Sequence, residues 1–303
     1  LPRLKNELDQ AWTLNALANS YAYSGRSREA ISLFEMSNEI YKKQDANKQH
    51  LAICLGNLAG NQMRIGELNV AEANFRRMIE ISREIKGDFG EAVGHRKLGQ
   101  LLAYQGEFGE SEKEIEAAIK IAQKLGEKQN DWLSHSYLST RALFMSNAEE
   151  ALNYARKSRE LAGAGHYESD IIIVEWLLGA AYLMKGNLPE AEKHLTEALK
   201  RDRKINLVVF EPDILLEFAK LRFKENHNEE ALKFADEALQ IADRCEYRLK
   251  QADIHNFLAG FYQDAGDLEK AKKHGEIAKE RAECGYKPAL EKAEKMLNEI
   301  RRM

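Results

Sequence analysis

The chain has 303 residues, 44% of them hydrophobic and 31% charged, with 45 Lys and Arg against 49 Asp and Glu. The resulting net charge of −4 argues against a nucleic-acid binder, which needs excess cations to displace counterions from phosphates. Apolar stretches fall short of the ~18 residues that a spanning helix requires, so membrane insertion is not expected.

The N-terminal LPRLKNELDQ is charged and lacks the apolar core of a signal peptide. It begins without methionine, which predicts a piece of a longer chain whose other domains are candidate partners. Cys54, Cys245 and Cys284 are odd in number and widely spaced. That is the pattern of a reduced, cytoplasmic protein rather than a disulfide scaffold. No P-loop, HExxH, GxSxG or kinase-loop pattern occurs, so no enzymatic activity, cofactor or metal is predicted.

In chain order, a turn residue recurs at Gly25, Gly66, Gly106, Ser146, Gly186, Asn226 and Gly266, with one interval of 41 and then five of 40. Five residues after each marker the chain is small: Ala30, Ala71, Ser111, Ala151, Ala191, Ala231 and Ala271. Twelve residues before those positions it is small again: Ala18, Ala59, Gly99, Ser139, Gly179, Ala219 and Ala259. A large apolar residue precedes each of these, from Leu17 and Leu58 through Phe218 to Leu258. Helices approach closely only where side chains are small, with large neighbours filling the flanking grooves. The marker ends one helix, where Gly or Asn accepts a left-handed backbone, and a second helix follows.

The period predicts seven helical hairpins within 1–286, at 1–44, 45–85, 86–125, 126–165, 166–204, 205–244 and 245–284. Residues 287–303 read as a lone amphipathic helix (Leu290, Ala293, Leu297, Ile300) that caps the exposed face of the last hairpin. Polar or glycine-bearing linkers are expected at 44–47 and at 163–166, the latter a linker rather than a phosphate loop. The apolar connection Asn206–Pro212 is expected to be buried against its neighbour, with a partner contact or a bend as the alternative. The run Lys200–Lys204 reads as a solvated helix end. His95, His135 and His255 share one repeat column and are expected to pack or lie half-exposed rather than bind metal.

The Leu-small pair, an often aromatic residue after it (Tyr21, Tyr182, Tyr262), Gly at the turn and Ala in the next helix resemble the tetratricopeptide repeat (TPR). The unit is longer than that family's usual ~34 residues and lacks its terminal proline. It is closer to the longer-helix subgroup of spindle-orientation scaffolds, kinesin light chains, Rap regulators and the sensor arrays of STAND ATPases. The resemblance implies an all-α, right-handed α-solenoid whose concave groove binds a peptide or protein segment.

By the same resemblance, groove positions lie fifteen, eleven, eight and seven residues before the second-helix small residue. Candidate contacts are then Asn15, Asn19, Tyr23, Arg64, Arg96, Gln100, Tyr104, Ser136, Trp176, Lys220, Lys224 and Asn256. Amides can bond a ligand backbone, cations its carboxylates, and aromatics its apolar side chains. Leu143, Leu183 and Phe223 fall on these columns too, but are expected to pack between repeats. The Lys–Asn combination of a chaperone-tail carboxylate clamp is missing from every unit, which disfavours that ligand. The primary expectation is an interaction module. The alternative is a ligand- or peptide-sensing regulatory region of a larger signalling protein, of the STAND ATPase or Rap kind.

Overall fold

The computed structural model describes residues 6–43, 47–162 and 167–302. The linker positions 44–46 and 163–166 lie outside the described residues. Among these residues fifteen α-helices form and no strand. They pair as α1 (Glu7–Tyr23) with α2 (Ser27–Lys42), α3 (Lys48–Arg64) with α4 (Leu68–Glu84), and α5 (Asp88–Tyr104) with α6 (Phe108–Leu125). Next come α7 (Lys128–Phe144) with α8 (Ala148–Ala162), and α9 (Glu168–Met184) with α10 (Leu188–Ile205). The last pairs are α11 (Glu211–Lys224) with α12 (Asn228–Arg244) and α13 (Arg248–Asp264) with α14 (Leu268–Ala282). A final helix, α15 (Lys287–Ile300), packs on α13 and α14. No helix among the described residues is long and apolar enough to cross a membrane.

The turn chemistry accounts for the hairpins. All seven markers have positive φ, from 57° at Ser146 to 86° at Gly66. At Gly66 the reversal closes with its own N–H on the Met63 carbonyl (3.1 Å) and the Glu67 N–H on the Gln62 carbonyl (2.8 Å). Such paired bonds take up carbonyls that a helix end otherwise leaves open. The joints between hairpins use the same left-handed geometry at Lys86, Gly126, Asn206 and Glu246.

The two small columns form the seam of each hairpin. Ala18, Ala59, Ala219 and Ala259 are fully buried, as are the facing Ala30, Ala71, Ala231 and Ala271. A Cβ at Gly99 would lie 2.5 Å from Ile115, and one at Gly179 would lie 2.6 Å from Leu195. Where the seam carries serine, its hydroxyl bonds across: Ser111 Oγ donates to the Gly99 carbonyl (2.7 Å) and Ser139 Oγ to the Ala151 carbonyl (2.9 Å). The neighbouring leucine column is buried from Leu58 to Leu258, but Leu17 is 38% exposed, since no hairpin precedes α1 among the described residues.

Successive first helices touch one another all along the array, from α1 on α3 to α13 on α15. They form the inner layer and the second helices the outer one. The curl of this inner layer brings the two ends of the array together. The turn at Gly25 sits against Val208 and Cys245, that at Gly66 against Arg248 and Cys284, and that at Gly106 against Lys287. Ion pairs Arg28–Glu246 and Glu107–Lys287 cross the same seam. One apolar cluster joins Ala59, Met63 and Leu101 of hairpins two and three to Leu249, Tyr286 and Ala289. The array thus closes on itself around its concave face, whose lumen stays partly open to solvent.

Two further expectations meet the structure at the joint between α10 and α11. Val208 and Val209 are buried, and Pro212 sits in the first turn of α11. The apolar connection thus goes to packing. In the charged run before it, Arg201 and Arg203 pair with surface carboxylates, but Asp202 is 0% exposed, so that helix end is not wholly solvated.

Candidate functional site

The lumen holds a cavity of ≈ 430 Å³ walled by residues of the first helices α5, α7, α9, α11 and α13, by the turn residue Ser146, and by the segment entering and forming α15. Its apolar wall is Tyr104, Leu143, Phe144, Trp176, Phe223, Phe257 and Tyr286. Tyr104, Phe144 and Tyr286 interlock edge to face, with ring centroids 5.0 to 5.9 Å apart. Edge-to-face packing suits aromatic quadrupoles, and here it plugs the end of the cavity with the residue that leads into the cap helix.

The polar wall carries charges of both signs. Asp213, Glu217, Lys220 and Lys224 come from α11, Asp253 from α13 and Lys292 from α15. Lys220 Nζ lies 2.6 Å from Glu217. Burial opposes the Lys220 charge, but Glu217, with Asp253 and Asp213 beyond it, holds the ammonium above its usual range. Lys250 pairs with Asp213, whose carboxyl burial nonetheless raises. The Tyr286 hydroxyl donates to the Asp253 carboxylate at 2.9 Å, yet burial pushes that carboxyl up to about 6. Lys292 is exposed and, among the described residues, makes no ion pair; the protein packed around its ammonium and then the nearby Lys220 lower its pKa. The site therefore offers apolar walls plus a free ammonium beside two carboxyls held closer to neutrality than usual.

Of the predicted contacts, Tyr104, Trp176, Lys220 and Lys224 line the cavity. Lys224 Nζ also donates to the Leu183 carbonyl at 3.0 Å. Leu143, Leu183 and Phe223, expected to pack only, line it as well. Asn15, Asn19 and Tyr23 lie apart on α1, with Tyr23 63% exposed and Asn15 accepting from Asn57 (3.5 Å). Gln100 is half-buried on α5, Arg96 lies against the Tyr137 ring, Arg64 acts on that phenol electrostatically, and none of the three lines the cavity. Two expectations need correction. Ser136 is fully buried, its hydroxyl donating to the Leu133 carbonyl (2.7 Å), and Asn256 is buried with its amide on the Ala289 carbonyl (2.9 Å). Asn256 holds the cap helix in place, and Ser136 bonds its own helix.

The residues that sequence reasoning missed are Asp213, Glu217, Asp253 and Lys292. Asp213 and Asp253 stand eighteen residues before their second-helix alanines and Glu217 fourteen, so the lumen-facing stripe starts one helical turn earlier than expected. Lys292 belongs to the cap, outside the repeat register.

The histidines pair inside hairpins. His95 Nδ1 meets Glu114 at 2.5 Å, His194 Nδ1 meets Glu175 at 2.6 Å, and His255 Nδ1 meets His274 Nδ1 at 2.9 Å. All three pairs occupy the same two repeat columns, and among the described residues no trio of potential ligands converges on one point.

Residues 9–84, most of the first two hairpins, match the family model described as tetratricopeptide repeat. The Rap conjugation gene regulator of the plasmid pLS20, in complex with the Phr* peptide, is 13% identical at a TM-score of 0.73, over 96% of this chain and 74% of that one. A Rap protein complexed with competence and sporulation factor is 12% identical at a TM-score of 0.62, over 98% of this chain and 97% of that one. The apo form of RapI is 16% identical at a TM-score of 0.63, over 80% of this chain and 87% of that one. The fold is a tetratricopeptide-type solenoid. Curated proteins give no match.

Proposed function

We propose that the chain binds a peptide or an extended protein segment inside its lumen. The carrying observation is the cavity of ≈ 430 Å³, which combines aromatic walls with charged side chains of both signs. That volume and composition are those of a ligand pocket, and mixed aromatic and cationic walls suit side chains anchored along an extended backbone. Two Rap structures that share this fold were solved with a peptide or factor bound, which supports the same class of ligand here. The partner is a peptide, or a segment of another domain of the same full-length chain, and the setting is cytoplasmic.

The contact between the two ends of the array favours a regulatory form of this reading, since an occupant of the lumen can shift the seam between hairpins one to three and the C-terminal hairpins. Retention of a randomised synthetic peptide pool, read by mass spectrometry, tests the assignment. Wild type is expected to retain a sequence-restricted subset, and Trp176→Ala with Lys224→Ala to retain about a tenth or less of it, for the loss of one anchor pair. Unchanged retention by a variant of unchanged helicity counts against the lumen.

A further inference from the structure

A second concave feature lies apart from the cavity. A groove of ≈ 490 Å³ runs between α3, α4 and α5 along Ile53, Ile85, Phe89 and Val93. Ile53 is 45% exposed and Phe89 54%, although hairpins flank them on both sides. Gly56 opens the floor, since a Cβ there would lie 2.6 Å from the Met78 sulfur.

Lys97 forms one wall of this groove. Its Nζ stands 5.7 Å from the centroid of the Tyr137 ring, and the Arg96 guanidinium carbon stands 5.3 Å from the same centroid. Arg64 acts electrostatically on both Lys97 and Tyr137, and its own contact is the neutral Asn61 Oδ1 at 3.1 Å. Asp170 is the acid whose field Arg96 senses. Yet among the described residues none of the three cations forms an ion pair, and Arg96 is 6% exposed with its Nε buried and without a hydrogen-bond partner there. Burial works to raise the Tyr137 phenol, but Lys97, Arg96 and Arg64 together bring it below its usual range. Holding Arg96 and Lys97 at one ring, with Arg64 in electrostatic range and no carboxylate contact, is costly, and an incoming anion relieves it.

We propose that Arg64, Arg96 and Lys97 form an anion-binding subsite at the edge of the groove, which takes a carboxylate of the bound peptide while apolar residues beside that carboxylate lie along Ile53, Phe89 and Val93. This inference rests on the peptide-binding reading. It extends the ligand's footprint from the cavity to the hairpins nearer the N-terminus and makes the preferred peptide acidic at one point.

The test uses the full chain and two randomised pentapeptide pools, one with a free C-terminal carboxylate and one with a carboxamide. Peptides retained by the wild type are expected to be enriched about tenfold in carboxylate, the worth of one charge-assisted contact. Enrichment confined to the free-acid pool assigns the terminal carboxylate, and enrichment of Asp or Glu in both pools assigns a side chain. Arg64→Gln with Lys97→Gln, which spares the buried Arg96, is expected to retain peptides without that enrichment. Retention with no acidic preference, or a preference that survives in the variant, overturns the subsite alone. Retention of nothing by either protein overturns it together with the peptide-binding reading.

Discussion

Asp202 has both carboxylate oxygens buried without a partner, and burial pushes its carboxyl from 3.8 up to about 7. The folded state therefore binds the extra proton between those pH values. Stability falls as pH rises through that window, and the penalty is complete above it. Asp202→Asn is expected to raise the urea midpoint at pH 8 and to change it little near pH 4. An equal effect at both pH values contradicts the assignment. His255 behaves oppositely, because burial and then His274 lower it from 6.5 to about 4. Its contribution is intact above pH 6.5 and is lost as pH falls toward 4. His255→Leu, matching the leucines at this column in Leu14, Leu55 and Leu215, should flatten the acid limb of a melting-temperature profile. Of His255 only its repeat column was legible in the sequence, and the burial of Asp202 was not. Asp202 sits among alternating charges that read as solvated, and it is buried only because the following connection turns back, Leu207 N–H bonding the Asp202 carbonyl at 3.2 Å.

The helices, turns and seams were the legible part, because each is fixed by residues close together in sequence. A marker with positive φ every hairpin and two small columns suffice to set the packing of each helix pair. The tightest point is Gly99, where even the Ser111 carbonyl would lie 2.9 Å from an added Cβ. Gly99→Val should destabilise the fold by roughly 1–3 kcal/mol in chemical denaturation, the cost of overpacking a close seam; a variant as stable as wild type would contradict this packing. The histidine clasps were half legible. Their column was visible, but their partners were hidden because the order inverts, His95 with Glu114 in one hairpin and Glu175 with His194 in another. The columns read for the groove include Trp176, Lys220 and Lys224 at the cavity, but the lining stripe begins one turn earlier, at Asp213 and Asp253, which those columns leave out.

Closure of the lumen was not legible at all, since it depends on small rotations accumulated from hairpin to hairpin. Its consequence is that the cap helix does more than cover the last hairpin. Tyr286 is 1% exposed and packs at once against Tyr104 and Phe144 from hairpins far away in sequence. Tyr286→Ala should cost roughly 3–5 kcal/mol, as for other buried aromatics. It should also expand the molecule in small-angle scattering, whereas a compact variant would mean that the other seam contacts, such as Leu249 and Ala289 with hairpins two and three, hold it without Tyr286. The exposed pairs Arg28–Glu246 and Glu107–Lys287 are each worth little. Binding of ligand within this lumen is tested most directly by amide hydrogen exchange of the full chain with and without a retained peptide. Slowed exchange is expected along α7, α9, α11 and α13 and at the start of α15. Protection confined to the outer helices, with the inner ones unchanged, would contradict the account.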